Sequence, residues 1–210
     1  MSMKIVKING IIDILTGLHI GAGNAEVHIG GIDSAVIKNP IDGYPYIPGS
    51  SIKGKIRSLL ELSYGICPDG KPSSTENTDN IIPKVFGDTS KTNMTRIVFR
   101  DCFLSKSSIE KIKSKNILPT EEKSENSIDR LSGTAESPRN IERVIPGLSF
   151  DFEMNIRIFD TDSEADFKEL ITKGLYLLEQ DTLGGSGSRG YGKVKFKDLY
   201  WGTEELNLEL

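Results

Sequence analysis

An α+β fold with a ferredoxin-like βαββαβ core is predicted by three observations. Apolar and polar residues alternate along one face in three stretches with a fourth strand expected over 95–104, two segments between the strands show helical spacing, and the order is strand, helix, strand, strand, helix, strand. Over residues 4–15, Val6, Ile8, Ile12 and Ile14 share one face and Lys7, Asn9 and Asp13 the other, the period of a half-buried strand. The first helix opens at "PGSSIKGKIRSLLEL", where Ser50 or Ser51 is the expected cap and Ile52, Ile56, Leu59 and Leu60 form the buried stripe. Lys53 and Arg57 flank one edge of that stripe and Lys55 the other. A second strand is expected over 95–104. The third, over 150–158, alternates Phe150, Phe152, Met154, Ile156 and Ile158 with Asp151, Glu153, Asn155 and Arg157. Ser163 and Asp166 have the form of a capping box ahead of Phe167, Leu170, Ile171, Gly174, Leu175 and Leu178 at helical spacing. Val194 and Phe196, between Lys193, Lys195 and Lys197, mark the last strand. The sum is a mostly antiparallel sheet with helices on one face.

Three stretches fall outside that plan. Residues 16–48 are a glycine-rich insertion, and 66–94 contain the polar run "CPDGKPSSTENTDN", expected to be a mobile loop. Residues 120–147 carry Arg130, Arg139 and Arg143 among small polar residues, a pattern suited to a hairpin that grips a partner. With 26 Lys and Arg against 30 Asp and Glu, the net charge is −4, so any nucleic-acid site must be a local concentration of cations. Cys67 and Cys102, with His19 and His28 far from them in sequence, do not make a zinc set, and no structural zinc is expected. No signal peptide or long apolar run is seen, so a single domain over 1–210 in a reducing cytoplasm, away from membranes, is the expectation.

Two glycine-rich stretches admit more than one reading. "DTLGGSGSRGYGKVKF" is either a plain turn between helix and strand or a surface on which a polyanion lies, with Arg189 supplying charge. It is neither a Walker loop nor a dinucleotide fingerprint, which disfavours a small-molecule nucleotide domain. Asp33, in "GGIDS", is by itself an Asx-turn residue, and His19 by itself a partly buried ring donating to a carbonyl. The start of the first helix is either simply capped or a phosphate site, where free N–H groups, serines and cations act together.

Taken in order, "GLHIGAG" (17–23), "GGIDS" (30–34), "IPGSSIKGKIRSLLE" (47–61), "NSIDRLSGTAESPRNIERV" (126–144) and "LGGSGSRGYGKV" (183–194) resemble the RAMP superfamily of CRISPR proteins. The similarity is to the backbone subunits of type III-A (Csm) complexes, with the type III-B backbone subunit or a guide-RNA-binding module without catalysis as alternatives. The resemblance implies a ferredoxin-like (RRM-like) core with a thumb hairpin at 120–147. It implies copies of the chain stacked on a CRISPR RNA, with complementary target RNA cut at regular intervals and the large Cas10-type subunit among the other Csm partners. It places RNA contacts at His19, Ser50, Ser51, Lys53, Lys55, Arg57, Asn126, Arg130, Arg139 and Arg189, and the cleaving acid at Asp33. Cleavage in this family is metal-dependent, which implies transient binding of Mg²⁺ or Mn²⁺ at Asp33.

Overall fold

The computed structural model describes residues 2–23, 33–67, 69–76, 79–88 and 94–208. In chain order its elements are β1 (Met3–Ile14), β2 (Tyr46–Ile47), α1 (Gly49–Tyr64), α2 (Ile82–Phe86), β3 (Ile97–Phe99), β4 (Cys102–Phe103) and α3 (Lys106–Lys115). Then come β5 (Thr120–Ile128), β6 (Ala135–Val144), β7 (Ser149–Phe159), α4 (Glu164–Gln180), β8 (Val194–Trp201) and β9 (Glu204–Glu205). The main sheet has the order β3-β7-β1-β8-β9 with every pair antiparallel. Leaving out the short β9, the order is that of a ferredoxin-like βαββαβ core.

The alternation in the sequence sets the layers. Val6, Ile8, Ile12 and Ile14 of β1 and Phe150, Phe152, Met154, Ile156 and Ile158 of β7 are all buried, and α1 and α4 contribute Ile52, Ile56, Leu60, Phe167, Ile171, Leu175 and Leu178 to the same core. Burial of this much apolar area is the main term favouring the fold. The two helices meet at Gly174, where a Cβ would lie 2.6 Å from Ile56 Cγ2. Ser163 caps α4 by accepting from Asp166 N, as its spacing predicts.

Four expectations are corrected. The strand over 95–104 is broken into β3, which pairs with β7, and β4, which pairs with β2 in a separate sheet. The break falls at Arg100 and Asp101, because the Asp101 carboxylate turns away to accept Gly49 N–H at 2.8 Å. That bond also corrects the cap of α1: the N-cap residue is Pro48, without a side-chain cap, and Ser50 and Ser51 lie in the first turn. The insertion over 66–94 is not wholly loop: the described part of its polar run is turn and coil, but beyond it lies α2, whose Ile82, Pro83, Val85 and Phe86 are buried. Finally, α3 is a third long helix where none was expected; its apolar stripe is thin, with Ile112 its one fully buried apolar residue, so periodicity does not reveal it. Residues 24–32, including Gly30, Gly31 and His28, and positions 68, 77–78 and 89–93 of the second insertion lie outside the described residues.

Strands β5 and β6 form a two-stranded antiparallel sheet of their own. Its ladder slips between Glu125 and Ser127, so Asn126 has no paired residue. Opposite lie Ser137, at φ 51°, and Pro138, which has no N–H to donate. At the tip Asp129 accepts from Leu131 N (3.0 Å), Ser132 N (2.6 Å) and Ser132 Oγ (2.8 Å), which fixes the turn and leaves Leu131 98% exposed.

Candidate nucleic-acid interface

Asp33 stands against the hairpin rather than in a turn of its own. Its N–H donates to Asn140 O at 3.1 Å, and its Oδ2 accepts Asn140 N–H at 2.7 Å. The carboxylate's partner is 107 residues away, so the Asx-turn reading is not the one adopted. Ser34 then bridges Ile141 in parallel, Val36 bridges Gly21, and Leu18 bridges Val144, so both limbs of the first insertion are laced to β6.

Two side chains lock this lacing. Glu142 is buried and accepts Val36 N–H at 3.0 Å, Lys38 Nζ at 2.6 Å and Thr120 Oγ1 at 2.7 Å. Burial raises the Glu142 pKa, but the Lys38 ammonium, the Thr120 hydroxyl and the Val36 amide outweigh it and hold the carboxyl below its usual value. His19 Nδ1 is 2.7 Å from Glu142 O, and Nε2 is 3.1 Å from Ser34 Oγ. A carbonyl only accepts, so Nδ1 carries the proton and, in the neutral ring, Nε2 accepts from Ser34. His19 therefore holds the residue next to Asp33.

The glycine-rich loop packs on the same place. Gly185 N–H donates to His19 O at 2.8 Å, and Gly192 N–H to Gly17 O at 3.0 Å. Gly184, at φ 77°, passes so close that a Cβ would sit 2.3 Å from His19 O. Beyond it a 3-10 turn over Gly187–Arg189 carries Arg189 to the surface. The loop is thus an ordered buttress for the His19 turn as well as a carrier of charge.

Where hairpin and loop meet, four cations gather on Glu125 and Tyr191. The Glu125 carboxylate, only 10% exposed, lies 3.4 Å from Arg139 Nη2, 3.3 Å from Arg189 Nη1 and 3.7 Å from Lys123 Nζ. It accepts the Tyr191 hydroxyl at 2.8 Å. That bond, with the surrounding cations, holds Glu125 below its usual value despite burial, while burial and the adjacent carboxylate push Tyr191 up. Lys123 and Arg143 also stand over the buried Tyr191 ring, 4.7 and 4.9 Å from its centre. Arg143 pairs in turn with Glu121 at 2.8 Å. Half-exposed ion pairs such as these are worth about 0–1 kcal/mol each.

The remaining predicted residues form two further groups. Arg130 and Asn126 are exposed along the outer hairpin. Around α1, Ser50 is exposed and Ser51 half-buried in the first turn, and Lys55 pairs with Asp181 at 3.0 Å. Lys53 lines a cavity with Arg57 and Lys71; burial and then the Arg57 charge pull its pKa down. Arg57 is tied inward, to Glu61 (2.8 Å), Gly87 O (2.9 Å) and Ser73 O (2.7 Å). Sequence reasoning overlooked Glu125, Tyr191 and Ser34, and Glu142, which beside Arg143 reads as a member of a solvated surface pair, is instead buried. Nothing in a charged hairpin marks one glutamate as buried; only the strand's alternation hints that Glu142 and Val144 face inward.

Among the described residues, no three His, Cys, Asp or Glu side chains lie close enough to hold a metal ion, and no helix is long and apolar enough to cross a membrane. Asp33 is a single hard carboxylate with one oxygen already on Asn140, a donor set that fits a cation carried largely by other ligands.

Fold and site together define a ferredoxin-like protein with a projecting hairpin that carries a cation cluster on Glu125 and Tyr191 where it meets the glycine-rich loop, and an exposed aspartate, Asp33, bonded to its second strand. The RAMP superfamily model matches residues 11–195, and the chain belongs to that superfamily and, within it, to the family of Csm3 endoribonucleases. It is 46% identical over 205 residues to the CRISPR system Cms endoribonuclease Csm3 of Streptococcus thermophilus, covering 95% of this chain and 90% of that protein. To the protein of the same name from Enterococcus italicus it is 43% identical over 194 residues, covering 91% and 89%. A chain in the crystal structure of a Csm3–Csm4 subcomplex of the type III-A CRISPR-Cas interference complex superposes with a TM-score of 0.58 at 34% identity, over 95% of this chain and 79% of that one. A chain of a type III-B Cmr-β complex bound to cognate target RNA shares the fold, with a TM-score of 0.66 at 19% identity.

Proposed function

We propose that this chain is a repeated backbone subunit of a type III CRISPR ribonucleoprotein, of the type III-A (Csm) kind. It binds CRISPR RNA, stacks on copies of itself beside the other Csm subunits, and cuts complementary target RNA in the cytoplasm. The observation that carries this reading is the pair of hydrogen bonds joining Asp33 to β6, its N–H to Asn140 O and Asn140 N–H to its carboxylate: the candidate cleaving acid is fastened to the hairpin.

In this reading the hairpin over 120–147 is the thumb. Its tip enters the guide–target duplex and displaces one nucleotide, which brings the target's 2′-oxygen, phosphorus and 5′-oxygen into line. Arg130, at the tip, and Asn126, in the bulge, face the duplex. Arg139 and Arg189 hold the backbone at the base, and His19, assigned by the resemblance to RNA contact, acts there by fixing the turn beside Asp33. Ser50, Ser51, Lys53 and Lys55 hold guide phosphates at α1, where the helix dipole adds to their charge. Arg57 is assigned to the scaffold, since its guanidinium is spent on Glu61, Ser73 and Gly87.

The 2′-hydroxyl gives up its proton toward the Asp33 carboxylate and its oxygen attacks the adjacent phosphorus. The bond from phosphorus to the 5′-oxygen breaks, and that oxygen takes a proton from water, leaving a 2′,3′-cyclic phosphate and a 5′-hydroxyl. Where a divalent cation, Mg²⁺ or Mn²⁺, takes part, Asp33 would be the protein carboxylate that holds it, and the ion would supply charge neutralisation on the phosphate. Asn140 N–H fixes the direction of the carboxylate throughout.

The test is Asp33→Ala in the assembled complex. Guide assembly and target binding are expected to persist while target cleavage falls by at least about a thousandfold. Cleavage at the wild-type rate would remove Asp33 from the mechanism.

A further inference from the structure

Glu125 has no part in the cleavage step, yet it sits at the centre of the cationic junction. Its carboxylate is the common partner of Arg139, from the hairpin, and Arg189, from the glycine-rich loop. The arginines are 50% and 44% exposed, whereas Glu125 is 10% exposed and anchored from beneath by the hydroxyl of fully buried Tyr191. The anion is therefore the fixed member and the guanidinium groups the ones free to swing outward. Lys123 and Arg143 stack on the same tyrosine, so among the described residues Lys123, Arg139, Arg143 and Arg189 share only Glu121 and Glu125 as carboxylate partners at this junction. Such a junction is short of negative charge, and a phosphodiester offers the bidentate acceptor that guanidinium prefers.

We propose that Glu125 is a specificity-determining carboxylate that stands in for RNA phosphate in the free subunit, holding Arg139 and Arg189 until a correctly placed strand takes them over. This rests on the reading that the chain binds RNA along this face. The device lowers affinity for stray single strands, because each phosphate contact must first displace a fixed anion. On a guide, where neighbouring copies hold the strand in register, the local phosphate concentration is high and the exchange proceeds. The low pKa of Glu125 keeps the stand-in charged across the physiological range.

Glu125→Gln tests this, since the amide still accepts the Tyr191 hydroxyl but no longer binds the arginines as an anion. The purified chain is titrated against an unstructured, fluorescein-labelled single-stranded RNA by anisotropy, from about 50 to 300 mM potassium chloride. Glu125→Gln is expected to bind about fivefold or more tighter at low salt, and its plot of log affinity against log salt to steepen by about 0.7 per arginine released. In the Arg139→Gln, Arg189→Gln background that gain should vanish. Unchanged or weaker binding by a folded Glu125→Gln chain, or a gain that persists without the two arginines, overturns the proposal. Should Glu125→Gln not fold, the paired arginine variant decides alone. Weaker binding with a shallower salt slope supports transfer of the arginines to RNA, and wild-type binding refutes it. A wild-type chain that binds no RNA at any of these salts overturns the RNA-binding reading itself, whereas wild-type binding with no effect of Glu125 overturns this inference alone.

Discussion

At the scale of the residue, Asp33 acquires its geometry from a main-chain donor. Asn140→Pro deletes the N–H that Asp33 Oδ2 accepts, and that N–H points away from β5, so the hairpin ladder survives. Single-turnover cleavage by the assembled complex is expected to fall by about tenfold or more with target affinity kept, while Asn140→Ala, which keeps the amide, stays near wild type. Glu142 answers to pH. Its folded pKa lies below the ordinary value of 4.5, so its bonds stabilise the chain above that pH and are lost as pH falls through the lower, folded value. Urea denaturation from pH 7 to pH 3 should therefore show an acid loss that flattens in Glu142→Gln. At pH 7 Glu142→Ala leaves the Val36 amide without its acceptor and costs about 1–3 kcal/mol. These two residues were unequally legible. Asp33 stood out as an acid among glycines, but the bond to Asn140 spans a separation that no local pattern encodes.

At the scale of the element, the long strands and α4 could be read directly, because one buried face imposes a period on them. The sequence pattern failed where an element is short or where its cap comes from afar. Asp101 both breaks the strand over 95–104 and caps α1, and α2 is held within the polar insertion by only a few buried residues. The glycine-rich loop was ambiguous in sequence because its role depends on what it touches. Gly184→Ala sets a Cβ 2.3 Å from His19 O at positive φ, so the expected cost exceeds the about 1–2 kcal/mol of the φ alone. Calorimetry should show Tm lowered by more than about 4 °C, and guide binding should weaken as the His19 turn shifts. Gly190→Ala also meets a positive φ but has no atom within 4 Å, so it should leave guide binding nearly intact.

At the scale of the whole molecule, the proposed function requires a chain of net charge −4 to meet a polyanion through one face. A single copy is expected to bind RNA weakly, and affinity should rise with RNA length faster than in proportion to the number of sites. Analytical ultracentrifugation with RNAs of increasing length should then show species that grow by whole subunits, and these should dissolve as salt rises. A chain that stayed monomeric on long RNA at low salt would contradict stacking.

The ferredoxin-like core and the position of the hairpin were legible in the chain alone, because burial on one face and turn chemistry are local properties written in the residue pattern. Only the tertiary structure decided that Asp33 is moored to β6, that Arg57 is spent on the scaffold, and that Arg139 and Arg189 converge on Glu125. Apart from Arg57 and Glu61, which are 4 residues apart, those pairings join residues 14 to 107 positions apart, and which partner a charge finds is settled mainly by packing.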